Sequence, residues 1–219
     1  MRRTVIPELL DHDAGTPAEI EASLADLRRV NRWFGGISTT TQLVRRAAQR
    51  SGKRSLSLLE VAAASGDVPS ETKARLARAG IELSCVLLDR SRCHLRNGSP
   101  AVVGDAFALP FRDQSFDLVG CSLFAHHLEP DEITRFVREA LRVARVGVLI
   151  NDLRRSALHL ALIYSASPFF SRLTRHDAPA SVRRAYTAEE MHKLLRSTGK
   201  PVEISDTYLC RMGAIVWNA

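Results

Sequence analysis

From Ser55 onward the chain alternates short apolar runs with amphipathic stretches, and that alternation leaves few folds open. Leu56–Val61 reads as a buried strand, and about Ser70 to Ala79 as a helix closed by Gly80. Leu83–Leu88, Ala101–Val103 and Phe116–Ser122 are the next strands, with an amphipathic helix over Asp131–Val143. Val146–Ile150 is a fifth strand, and a helical stretch runs from Ser156 to near Pro168. Thr187, with Glu190 three places on, has the form of a capping box. Two closely spaced strands, roughly Pro201–Ser205 and Arg211–Trp217, end the chain. Apolar strands interleaved with helices bury both sheet faces. The prediction is an α/β fold with a seven-stranded, mostly parallel sheet, helices on both faces and an antiparallel last strand.

Ahead of this region the pattern is helical. Thr16 followed by Pro17 is a helix start, and Ile20, Leu24, Leu27 and Val30 recur at helical spacing. Gly35-Gly36 interrupts, and a second helix holds Leu43, Val44 and Ala47. We therefore read residues 1–50 as a helical cap or lid and 51–219 as the main domain, one compact unit overall. No apolar run approaches the ~20 residues of a membrane span, and no apolar stretch follows Arg2-Arg3, so a cytoplasmic location is expected. Cys85, Cys93, Cys121 and Cys210 form no C-x-x-C pair, which argues for reduced thiols. The formal charge is +7, but the arginines are scattered, which argues against a nucleic-acid surface. A homodimer is left open.

In such a sheet, ligands bind at the carboxyl ends of the strands. After the first strand comes Glu60-Val61-Ala62-Ala63-Ala64-Ser65-Gly66-Asp67, a turn of small residues that lets a ligand approach the backbone. After the second comes Asp89, placed to accept hydrogen bonds from two ribose hydroxyls, and after the third Gly104-Asp105-Ala106, placed to meet a base edge. Each residue alone has a plain reading as a strand-end charge, helix cap or turn former. Their recurrence at consecutive strand ends does not.

This succession resembles the class I S-adenosylmethionine-dependent methyltransferases of Rossmann-like fold, over about Ser55 to Asp152. Gly104-Asp105-Ala106-Phe107-Ala108-Leu109-Pro110-Phe111, Asp113-Gln114-Ser115-Phe116-Asp117-Leu118-Val119 and Phe124-Ala125-His126-His127-Leu128 are typical of the small-molecule group. The resemblance implies S-adenosyl-L-methionine as cofactor and S-adenosyl-L-homocysteine as product. It places Glu60, Ala62, Ala64, Gly66 and Asp67 around the methionine part, Asp89 on the ribose and Arg90 beside the adenine. Asp105 and Ala106 fall at the adenine edge, and Ser122 and Leu123 near the methyl group. Ala62 and Ala64 depart from the family's glycines; the Ala64 Cβ would sit against the cofactor.

Methyl transfer to a hydroxyl requires a placed acceptor and a proton acceptor. His126 and His127 follow the fourth strand and Asp152 the fifth, so a histidine base oriented by Asp152 is expected. Trp33, Phe34, Tyr164, Phe169, Arg175 and His176 are candidates for an acceptor pocket. The segment from Asn151 to Tyr186 is also similar to bacterial polyketide-pathway O-methyltransferases, which implies a small aromatic or polyketide-type acceptor. Methylation of a carbon on a quinone-like precursor, or a non-catalytic binding module, are the alternatives. No metal is expected, since Asn151-Asp152 lacks a third carboxylate, and Cys121 reads as core.

Overall fold

The computed structural model describes residues 1–12, 14–92, 95, 99–208 and 210–218, with backbone only at residues 12, 206 and 207. Thr16 starts α1 (Pro17–Trp33) with a reciprocal cap: its side chain accepts from the Glu19 N–H, and Glu19 accepts from the Thr16 N–H. Gly35, at φ 83°, turns the chain where a Cβ would stand 2.5 Å from the Tyr208 ring. From there runs α2 (Gly36–Ser51).

Alternation then proceeds as β1 (Ser55–Val61), α3 (Asp67–Ala77), β2 (Glu82–Asp89), β3 (Ala101–Val103), β4 (Phe116–Ser122), α4 (Pro130–Val143) and β5 (Ala144–Leu153). After β5 come α5 (Ala157–Ala166), α6 (Arg172–Arg184), α7 (Ala188–Arg196), β6 (Val202–Tyr208) and β7 (Arg211–Trp217). The sheet order is β3-β2-β1-β4-β5-β7-β6. The first five strands are parallel, and β7 runs antiparallel between β5 and β6. Strand order reverses between β1 and β4, so the ligand crevice opens at their carboxyl ends.

Two apolar layers cover the sheet. On one face Ile133, Phe136 and Val137 of α4 and Met191 and Leu195 of α7 pack on Val119, Cys121 and Val148. On the other, Leu43, Val44 and Ala47 of α2 and Leu76 of α3 cover Leu56, Leu58, Leu118, Leu149 and Ile215. Packing is thus continuous across residue 50, because α2 covers the same sheet as α3. Cys85, Cys121 and Cys210 are free thiols, and Cys93 lies outside the described residues.

The sequence reading left α6 out. Its buried face mixes Thr174, Asp177 and Ser181 with Leu173, Ala180 and Val182, and Pro179 stands inside it. Polar residues on the inner face hide the apolar period, and a proline inside a helix argues against one. Those polar residues hold the chain's first dozen residues: the Leu9 and Leu10 N–H groups donate to Asp177 at 2.8 and 3.0 Å.

Candidate active site

Backbone strain collects at the crevice. Ala62 (φ 53°), Ala64 (φ 45°) and Gly66 (φ 67°) after β1, and Leu123 (φ 55°) after β4, are all left-handed. Such a conformation costs a non-glycine residue of order 1–3 kcal/mol, so the surroundings must impose it. They do. Asp89, buried at the end of β2, accepts the Ala64 N–H on one oxygen (2.9 Å) and the Ser91 N–H on the other (3.0 Å). The Leu123 N–H is held by the Asn151 carbonyl at 2.9 Å.

Glu60 is buried at the end of β1, and one of its oxygens accepts the Ser122 hydroxyl at 2.7 Å. The other fills the space over Gly120, where a Cβ would stand 2.7 Å away. Burial raises the Glu60 carboxyl to about 7, against the lowering effect of Ser122, and Asp67 adds to the rise. Asp105 is exposed, with Oδ1 accepting the Phe107 N–H at 2.9 Å. Ala106 is partly buried against the α4 side of the core. Arg90 donates to the Asp11 carbonyl at 2.8 Å.

His126 and His127 occupy a short 3-10 turn after β4. Asp152, buried at the end of β5, takes the His126 Nδ1 at 2.6 Å on one oxygen and the His126 backbone N–H at 2.8 Å on the other. The Leu153 N–H also donates to it, at 2.6 Å. His127 turns its Nδ1 to Asp11 at 2.9 Å. The Nε2 atoms of the two rings face one oxygen of Glu8, at 3.7 and 4.0 Å. Burial alone would lower the His126 imidazole, but Asp152 and then Glu8 outweigh it and raise it to about 9. Burial would raise Glu8; His126 and His127 hold it below the ordinary carboxylate range.

Glu8 and Asp11 reach this place on a strap formed by the chain's first dozen residues. The Arg3 guanidinium donates to the Arg184 and Leu128 carbonyls (2.8 and 3.2 Å) and lies over the Tyr186 ring. The Thr4 N–H donates to the Arg183 carbonyl at 3.1 Å. Nothing local in the sequence pointed to Glu8 or Asp11, because their partners lie more than 100 residues away. Arg211 was missed as well. Pairing of Arg211 with Leu153 places its guanidinium at the carboxyl end of β5, fully buried, where it donates to Asn31 at 2.8 Å and Asn151 at 3.4 Å. Burial lowers it to about 10, against the raising effect of Asp152 and Asp67.

The six residues expected to line an acceptor pocket are all solvent-exposed. Trp33, Phe34, Tyr164 and Phe169 are more than half exposed, and the Tyr164 hydroxyl accepts from Arg183. Arg175 and His176 lie on the exposed side of α6, with the His176 Nδ1 on Asp177 at 2.8 Å. The inner side of α6 carries Asp177 and Ser181.

Residues 59–150 match the family model described as a methyltransferase domain. The chain carries such a domain, and its sheet is that of the class I S-adenosylmethionine-dependent methyltransferases. A phthiotriol/phenolphthiotriol dimycocerosates methyltransferase of Mycobacterium ulcerans is 43% identical over 89 residues, 40% of this chain and 30% of that protein. The match thus spans about a third of that relative's length. Among solved structures, the plantazolicin methyltransferase BpumL, in complex with a desmethylPZN analog and SAH, aligns with 96% of this chain and 95% of its own. Its TM-score is 0.69 at 14% identity. The CMeT domain of the citrinin polyketide synthase aligns with 74% of this chain and 46% of its own, with TM-score 0.54 and 14% identity. At these identities the likeness is one of fold.

Proposed function

We propose that this protein transfers the methyl group of S-adenosylmethionine to a hydroxyl oxygen of a small aromatic or polyketide-type acceptor. The observation that carries the reading is the buried His126–Asp152 pair, set beside Glu60 and Ser122 at the strand ends. The curated relative is named for phthiotriol/phenolphthiotriol dimycocerosates.

The residues fit an adenosyl sulfonium. The turn Ala62–Gly66 is built of small residues with its left-handed backbone pinned by Asp89, a shape a large side chain would fill. The raised Glu60 carboxyl would ionise beside a positive sulfur, offsetting the cost of its burial. Asp89 and Asp105 would take the ribose and the adenine edge, with Ala62, Ala64, Gly66, Asp67, Ala106, Ser122 and Leu123 around the remainder. When bound, the cofactor supplies an electrophilic methyl group.

The chain's own part is positioning and proton removal. Asp152 fixes the His126 ring so that Nε2 faces Glu8. Against the lowering effect of burial, Asp152 raises the His126 imidazole to about 9, near the ordinary phenol value of about 10. Transfer from a phenol is therefore nearly balanced once the ring has lost its own proton, and turnover should rise with pH toward about 9. Glu8 faces Nε2, and an acceptor hydroxyl would have to displace it to reach that atom. Incubation with S-adenosylmethionine and a panel of phenols and hydroxypyrones should add one methyl to the oxygen of a panel member, read by mass spectrometry. Methylation at carbon would move the reading to the quinone-type alternative. Cofactor binding with no product on any acceptor would favour the binding-module alternative.

Two side-chain changes probe the cofactor cradle. Asp89→Ala removes a charged acceptor, worth roughly 1.5–3 kcal/mol, so calorimetric titration should show S-adenosylmethionine binding about tenfold weaker or more. Ala64→Gly relieves a left-handed alanine at φ 45°. Thermal stability should hold or rise, because the strain relieved exceeds the roughly 0.5–1 kcal/mol of added unfolded-chain entropy. A clear fall in melting temperature would mean that the Ala64 methyl group contributes packing that outweighs its strain.

A further inference from the structure

We infer that Glu8, His126 and His127 form a binding site for a divalent transition-metal ion of the zinc class. The three residues bring their donor atoms within 4.8 Å of one another. Glu8 Oε1 is fully enclosed and has no hydrogen-bond partner, yet it faces the Nε2 atoms of both rings, at 3.7 and 4.0 Å. The histidines offset the charge of this oxygen only at ion-pair distance, without a hydrogen bond, and an ion between the three donors would satisfy it directly.

The outer shell supports the same assignment. Each ring uses its Nδ1 on a carboxylate, His126 on Asp152 at 2.6 Å and His127 on Asp11 at 2.9 Å. Metal-binding histidines are held in this way, with the second nitrogen fixed so that the first presents its lone pair. Two imidazoles and one carboxylate are the donor set of zinc and of ferrous iron, and three protein ligands leave a fourth position open. Donors on a tetrahedral zinc stand ~3.3 Å apart, from bond lengths of 2.0–2.1 Å, so the two separations from Glu8 must each close by less than an ångström. Glu8 lies on the strap and can make that shift. His127 is only part-buried, so the site is reachable from solvent on its side.

An ion here would take the His126 Nε2 lone pair, so the acceptor oxygen of the reaction proposed above would bind the ion in place of handing its proton to His126. That role rests on the proposed function; the binding itself does not. Chelator-treated protein should be titrated with zinc chloride, with cobalt(II) as a spectroscopic reporter. One equivalent should bind and raise the melting temperature, and cobalt should show d–d bands without a thiolate charge-transfer band. Glu8→Gln and His127→Ala should each weaken zinc binding at least 100-fold, and Asp11→Asn about 10–100-fold. Absence of a stoichiometric site, equal zinc affinity in Glu8→Gln and His127→Ala, or a cobalt–thiolate band would overturn the inference. S-adenosylmethionine titration of the same samples separates the two ideas. Cofactor binding without zinc binding leaves the methyltransferase reading standing and this one refuted, and the reverse holds as well.

Discussion

Replacing His126 by Ala is expected to lower turnover on a hydroxyl acceptor by roughly 10²–10⁴-fold, the usual contribution of a positioned proton acceptor. S-adenosylmethionine affinity should stay near that of the unchanged protein, since the cradle of Glu60, Ala62–Gly66 and Asp89 is built on other strands. Asp152→Asn removes the charge on the Nδ1 side but keeps an oxygen for one of the two N–H groups, His126 and Leu153, that Asp152 now receives. Its loss of turnover should be smaller than that of His126→Ala. His127→Ala serves as a second probe in a less buried position. Measuring kcat beside cofactor affinity and a melting curve distinguishes a chemical role from a misfolded turn. Near-normal turnover in both histidine variants would mean that the acceptor arrives already ionised or reacts at carbon, and the assignment of a base would fail.

The sheet was legible because strands buried on both faces leave a strong mark. Phe116–Ser122 coincides with β4, and Arg211–Trp217 with β7. The strand-end residues Glu60, Asp89, Asp105 and Asp152 followed from the strands that carry them. Boundaries moved where an end lacks apolar contrast. The helix expected from Ser70 begins at Asp67, because Gly66 turns left-handed and opens it. The His126–Asp152 contact was foreseeable because adjacent parallel strands bring their carboxyl ends together. Glu8 and Asp11 were not, since their partners are set by where a strap lies rather than by any period. Arg211 was hidden in a different way. Before a strand of apolar residues it reads as an exposed charge, and only the antiparallel return of β7 carries it into the interior beside Asn31 and Asn151. The residues expected to line the acceptor pocket are solvent-exposed, and the polar inner face of α6 meets the strap.

Glu60→Gln is the second large effect expected, and it has opposite signs in the free and the cofactor-bound protein. In the free protein, burial raises the Glu60 carboxyl from an ordinary value near 4.5 to about 7. A carboxyl that holds its proton more tightly when folded favours the folded state at low pH. That contribution is lost as pH rises from about 4.5 through about 7, by an amount of order 3 kcal/mol. Gln keeps an acceptor for the Ser122 hydroxyl and cannot ionise. The variant should therefore match the unchanged protein near pH 5 and melt at a higher temperature near pH 8. With S-adenosylmethionine present the order reverses. The ionised carboxylate beside the sulfonium contributes binding that the neutral amide cannot, roughly 1.5–3 kcal/mol for a charge-assisted contact, or about 10–150-fold in affinity. Wild-type affinity should also rise with pH through about 7, because binding draws the proton from Glu60, while the affinity of Glu60→Gln should be flat over the same range. Paired melting curves and titrations at pH 5 and 8 measure both halves. Parallel pH profiles for the two proteins would show that Glu60 is not the group facing the cofactor's charge.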